Sequence, residues 1–148
     1  MAGKNGVSLN WGGFDKAMGN AAHKLADTKA LMESVGEALV SGTLGRFDAE
    51  EDPEGNKWEP SRRAQEDGGM TLTDAAILRR SIEYAATSDK VMVGSNLPYA
   101  RIHQLGGKTG KGHKVTMPAR PYLGVSSDDM EEVKATLEDF LAGAFTGK

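Results

Sequence analysis

The amino-acid sequence predicts an α+β fold: a long N-terminal helix packed on a small antiparallel sheet, with an amphipathic helix closing the chain. Three patterns carry that expectation. Phe14, Met18, Ala21, Ala22, Leu25, Leu31, Met32, Val35, Leu39 and Val40 recur at the spacing of one helix face. Residues Ser81–Thr87 and Lys90–Gly94 partly alternate on either side of the polar turn Ser88-Asp89, as the two arms of a hairpin do. Met130, Val133, Leu137, Phe140 and Leu141 form a second helical stripe near the end. At 148 residues and 15.7 kDa the chain suits one domain. Residues 1–12 are expected to be a flexible N-terminus, and residues 13–148 a single domain with a long loop at about 48–70.

Each element has its own local signal. The first helix runs from about Phe14 to Leu44, with Asp15 as its cap and Gly42 or Gly45 as its stop. The stretch Asp48–Gly69 then turns polar and loses periodicity, the pattern of a long loop that is either functional or disordered. Trp58 in its middle argues against full disorder, because an indole needs somewhere to bury its ring. The loop is therefore expected to be mobile in a lone subunit and to order on a neighbour. Thr73-Asp74 can cap a short helix through Leu78, and Pro98 can start another through Tyr99 and Leu105. The Gly106–Gly112 glycine-lysine stretch reads as a flexible surface hairpin leading into a strand at Lys114–Met117. Ser127 or Asp128 is the expected cap of the closing helix.

Composition narrows the function classes. The net charge of −3 is too near neutrality for a chain built as a whole to coat nucleic acid or an anionic membrane. There is no cysteine, which removes disulfides, thiolate metal sites and a cysteine nucleophile. No apolar run is long enough for a membrane span, and the N-terminus lacks a signal-peptide core. The expectation is a soluble protein made in the cytoplasm, with no membrane partner.

Catalytic and cofactor chemistry finds no foothold. Gly110-Lys111 is followed by Gly112-His113 and a strand, where a phosphate loop needs Lys-Ser or Lys-Thr opening a helix. His23, His103 and His113 lack the spacing of a local metal site. The carboxylates of Asp48–Glu54 are dense and solvated, whereas a raised pKa needs burial. No serine sits in a nucleophile elbow. No enzyme, cofactor or metal is expected.

Charge distribution says more than net charge. No acid occurs between Asp89 and Asp128, and Lys90, Arg101, Lys108, Lys111, Lys114 and Arg120 give that segment +6. The closing helix carries Asp128, Asp129, Glu131, Glu132, Glu138 and Asp139 against Lys134, a balance of −5. Three arrangements fit: two solvated faces of one fold, complementary faces between copies in a ring, or a basic loop facing DNA.

Several segments, in order, resemble a known family. They are Asp52-Pro53-Glu54-Gly55-Asn56-Lys57-Trp58-Glu59-Pro60, then Leu78-Arg79-Arg80-Ser81-Ile82. Val93-Gly94-Ser95-Asn96 and Tyr99-Ala100-Arg101-Ile102-His103-Gln104-Leu105-Gly106 follow, and Pro118-Ala119-Arg120-Pro121-Tyr122-Leu123-Gly124 closes the series. Together they are similar to the phage virion morphogenesis family, the tail-completion proteins of tailed bacteriophages of the Mu type. The resemblance implies a structural virion protein, built in the host cytoplasm and carried in the neck of the tail. It also implies a ring of copies, expected to be a hexamer, around the axis through which genomic DNA passes. A head-side neck protein and the tail tube or terminator protein would be its partners. Interface candidates are Trp58, Tyr99, His103, Arg120, Tyr122, Glu131 and Glu132. Arg101, Lys108, Lys111 and Lys114 are candidates for a neighbour or for channel DNA. The rival readings are a tail terminator ring and a free nucleic-acid-binding module using residues 90–120.

Overall fold

A computed structural model describes residues 6–8, 28–73 and 76–146, with side chains through residue 142. Within them the architecture is α+β. Strands β1 (Val7–Ser8), β2 (Glu83–Ala86) and β3 (Val91–Ser95) form a sheet in the order β1-β3-β2. Both pairings are antiparallel, Val7 opposite Ser95 and Tyr84 opposite Val93. The central strand β3 is paired on both sides, and Val91, Val93, Gly94 and Ser95 are accordingly buried. The expected hairpin is present. Residues 7–8, expected to be loosely held, instead complete the sheet edge, and Val7 is buried there. Asp15, Asp74 and the first half of the expected N-terminal stripe lie outside the described residues.

Helix α1 (Lys29–Ala49) lies across the sheet and against the closing helix. Its buried residues Leu31, Met32, Val35, Gly36, Leu39, Thr43, Arg46 and Phe47 keep helical spacing, so one face enters the core. The Thr28 hydroxyl, just before the helix, donates to the Ser88 carbonyl in the β2–β3 turn. The expected stop at Gly42 or Gly45 does not occur. The helix continues to Glu50, whose left-handed conformation (φ 54°, ψ 48°) ends it. Gly42 has a packing role instead: a Cβ there would stand 2.0 Å from Asp129 Oδ1 on the neighbouring helix. Gly36 likewise admits the Tyr84 ring, whose Cδ2 would lie 2.4 Å from a Cβ.

The expected loop at 48–69 is largely built from regular pieces. Asp52 Oδ1 accepts from the backbone N–H of Glu54 and of Asn56, both at 2.9 Å, folding the acidic run into a tight turn. Asp52 is held below its ordinary pKa; burial opposes this, but the Asn56 and Glu54 donors outweigh it. Trp58 N–H donates to the Glu50 carbonyl at 2.8 Å, bringing the chain back beside the end of α1. Helix α2 (Arg62–Asp67) follows, with the Ser61 hydroxyl capping the Ala64 N–H at 3.1 Å. It escapes periodicity because it is short and buries only Ala64.

The remaining elements match expectation in kind. They are α3 (Ile77–Arg80), α4 (Ala100–Leu105), β4 (Gly107–Thr109), β5 (Val115–Met117) and α5 (Ser127–Thr146). Strands β4 and β5 pair as the expected surface hairpin, Lys108 opposite Thr116. The cap of α5 lies one residue earlier than predicted. The Ser126 hydroxyl accepts from Asp129 N–H, and the Asp129 carboxylate accepts from Ser126 N–H, both at 3.0 Å.

Candidate functional site

The segment Pro118–Gly124 is the structural centre of the region that bears the motifs. Its prolines exclude a central strand, and it crosses the core as irregular chain with Tyr122 0% and Arg120 6% exposed. Buried backbone without a ladder needs other partners. Gln104, from α4, supplies one set: its Oε1 accepts from Tyr122 N–H and Leu123 N–H at 3.0 Å, and its Nε2 donates to the Leu123 carbonyl at 3.2 Å. Arg46, from α1, donates through Nε to the Tyr122 carbonyl at 2.8 Å and through Nη2 to the Gly124 carbonyl at 3.0 Å. The Trp58 indole N–H reaches the Pro121 carbonyl at 2.8 Å, and Arg120 N–H reaches the His103 carbonyl at 2.7 Å. Side chains thus take the place of a neighbouring strand.

Arg46 also closes a buried ion pair with Asp129 of α5, Nη1 to Oδ2 at 2.7 Å, the two side chains 6% and 5% exposed. Phe47, Trp58 and Tyr122 stack around the same segment, with Phe47 to Trp58 edge-on at 5.6 Å and Phe47 to Tyr122 tilted at 5.4 Å. The Tyr122 hydroxyl donates to the Ala100 carbonyl at 2.7 Å, and burial pushes its pKa above the ordinary range.

Three of the interface candidates, Trp58, Arg120 and Tyr122, are buried and make their contacts within the chain. Arg120 spends its Nε on the Glu59 carbonyl at 2.6 Å. Tyr99 and His103, four residues apart, do share a helix face, their rings edge-on at 5.9 Å. Tyr99 remains 40% exposed. His103 is half-buried, and its Nδ1 is buried without a partner. Burial, then the Arg120 charge, holds its pKa below the ordinary value.

Most of the charged candidates lie at the surface. Arg101, Lys108, Lys111 and Lys114 are exposed, as are Glu131 and Glu132, with Glu131 3.7 Å from Lys134. Arg120 and Asp129, counted in those faces from sequence, are interior. Arg46, Gln104 and Asp129 were missed as organising residues. The Ser126-x-x-Asp129 spacing is a capping-box signal that could have flagged Asp129. Among the described residues no cluster of His, Asp or Glu is arranged to hold a metal ion, and no helix is long and apolar enough to cross a membrane.

A model of the phage virion morphogenesis family matches residues 9–142. The chain belongs to that family. Three relatives agree with it. Mu-like prophage FluMu G protein 2 of Haemophilus influenzae is 32% identical over 124 residues, covering 84% of this chain and 86% of its own length. Putative capsid assembly protein G of Escherichia phage Mu is 33% identical over 115 residues, 71% of this chain and 74% of its own. Mu-like prophage FluMu G protein 1 of the same Haemophilus is 31% identical over 129 residues, 77% and 80% of the two chains. No solved structure is significantly similar. The family makes this a protein of phage particle morphogenesis, a structural and assembly role.

Proposed function

We propose that the chain is a structural subunit of a tailed-phage particle that completes the head-proximal end of the tail and joins it to the head. In this reading copies close into a ring, a head-side neck protein meets one rim, and the tail tube or terminator meets the other. The observation that carries the reading is the family match along nearly the whole chain; two of its motifs, around Trp58 and Gln104, are bonded to the buried segment Pro118–Gly124. The exposed lysines of the β4–β5 hairpin and the exposed acids of α5 add support, because a ring interface needs two different patches on one subunit. The exposed lysines on the β4–β5 hairpin, Lys108, Lys111 and Lys114, suit either a neighbour's acids or channel DNA.

One relative's name, putative capsid assembly protein G, favours a second reading in which the chain acts on the head before the tail arrives. Deletion of the gene separates the readings by electron microscopy of the lysate. Complete heads beside complete, unjoined tails support completion. Tails of uncontrolled length would mean a terminator, and aberrant or empty heads would mean capsid assembly. Light scattering of the pure protein, alone and with partners, tests the ring. A protein that stays monomeric and binds duplex DNA with a steep salt dependence would overturn it.

A further inference from the structure

A cleft of about 280 Å³ opens beside α4; Leu72, Ile77, Tyr99 and Met117 are on its apolar side, and Ser61, Arg63, His103 and Arg120 are its polar members. Its size suits one large side chain and falls short of the about 300–1,000 Å³ typical of cofactor sites. The apolar wall continues onto the surface: Ile77 is 53% and Tyr99 40% exposed. The Ser61 hydroxyl accepts from Ala64 N–H, and the two arginines are cationic donors. Arg120 has guanidinium N–H groups beyond the Nε used on Glu59, and a guanidinium accepts no hydrogen bond. With Nδ1 of His103 buried and unpartnered, Nε2 is the nitrogen left to meet a ligand. No carboxylate lines the cleft among the described residues, and Glu59, which acts on Arg120, is exposed and outside the lining. Leu72 holds a left-handed conformation (φ 62°), a cost that backbone tends to carry at functional places.

We propose that this cleft is a docking site for a partner polypeptide that presents a large apolar side chain directly beside a carboxylate. The apolar side chain fills the space between Ile77, Tyr99 and Met117. The carboxylate accepts from Arg120 and from His103 Nε2–H, which gives a largely buried cation an anionic partner. The complementarity is one of charge and hydropathy together: cationic donors at one end, an apolar wall at the other. The inference is independent of where in the particle the chain sits.

The test uses the full chain and NMR titration with blocked tetrapeptides, N-acetyl-Gly-Phe-Glu-Gly-amide and its Gln and Lys counterparts, with 3-phenylpropionate as a free acid. The Glu peptide should shift amides of residues 99–105 and 117–120 saturably, with a Kd of about 1 mM. The Gln peptide should bind about tenfold more weakly, and the Lys peptide more weakly still. The exposed substitutions Tyr99→Ala and Ile77→Ser, which leave the core intact, should each weaken the Glu peptide about fivefold. Equal binding of the Glu and Gln peptides, or shifts elsewhere, would overturn the proposal. Binding of 3-phenylpropionate alone would make the cleft a small-acid site. Self-association of the protein that Ile77→Ser abolishes would make the occupant a second copy. Either of those also overturns it.

Discussion

Replacing Arg46 by methionine removes a guanidinium that makes four contacts at once, to Asp129, Thr43 and the Tyr122 and Gly124 carbonyls. The Asp129 carboxylate, 5% exposed, would keep Ser126 N–H as a donor but lose its counter-ion. Breaking a buried pair from one side costs about 3–5 kcal/mol. Each carbonyl left without a donor adds a penalty of about 1–3 kcal/mol, which overlaps the first because all follow from one vacancy. Methionine recovers some apolar packing, so the net expectation is about 4 kcal/mol, a large share of the about 5–15 kcal/mol that holds a domain together. Asp129→Asn keeps the shape and an acceptor and should cost about 2 kcal/mol. Arg46→Met with Asp129→Leu removes both charges, so the double variant should fall short of additivity by at least about 1.5 kcal/mol. Urea unfolding followed by circular dichroism measures these three and Asp129→Leu alone, the single variant that closes the cycle. A loss below about 1 kcal/mol for Arg46→Met, or additive costs, would refute the account of the pair as a buried clamp.

Two of the three glycines of α1, Gly42 and Gly45, should respond to alanine with opposite signs in the same melts. Gly45 has nothing within 4 Å of a Cβ, so Gly45→Ala should stabilise by about 0.5–1 kcal/mol, while Gly42→Ala drives a methyl into the pinned Asp129 carboxylate and should cost about 1–3 kcal/mol. Gln104→Leu strands Tyr122 N–H, Leu123 N–H and the Leu123 carbonyl and should cost about 2–4 kcal/mol by denaturant titration. His103 has a folded pKa below its unfolded value of about 6.5, so its contribution is complete above that pH and is lost as pH falls below it; His103→Gln should flatten this part of the stability-pH curve. If ring contacts join the hairpin to a neighbour's α5, Glu131→Lys with Glu132→Lys should break the ring on light scattering, and adding Lys111→Glu with Lys114→Glu should partly restore it. Failure of that rescue would turn the hairpin towards DNA.

Residue periodicity accounts for what was readable beforehand. Alternation marked β2 and β3, and three-four spacing marked α5 and the Tyr99–His103 pair, because these signals are local. Gly42 and Gly45 read as a stop because a glycine's packing role depends on what lies opposite, and Asp129 lies far along the chain. Residues 50–69 read as a loop because Asp52 and Ser61 build their turns through single side-chain caps, which leave no repeat. Arg46 and Asp129 look like ordinary surface charges, since their pairing spans 83 residues. Trp58, Arg120 and Tyr122 stand out in the sequence by residue type and setting. Whether such residues face inward or outward is a matter of tertiary packing, and here they face inward.

The way Pro118–Gly124 is held has a consequence for the timing of synthesis. Trp58 and Arg46 meet carbonyls 63 and 76 residues further along, and Gln104 meets its own 19 residues on. At about 5–20 residues per second, the donors on α1 and at Trp58 wait for seconds on a growing chain before their acceptors exist. During that interval Phe47 and Trp58 have no Tyr122 to cover them, and Arg46 has no Asp129. Contacts so distant in sequence also slow the search once all are present, towards milliseconds or longer. The chain therefore completes its core late and nearly all at once, when α5 has been made. Until then Phe47 and Trp58 leave apolar surface uncovered on every growing chain.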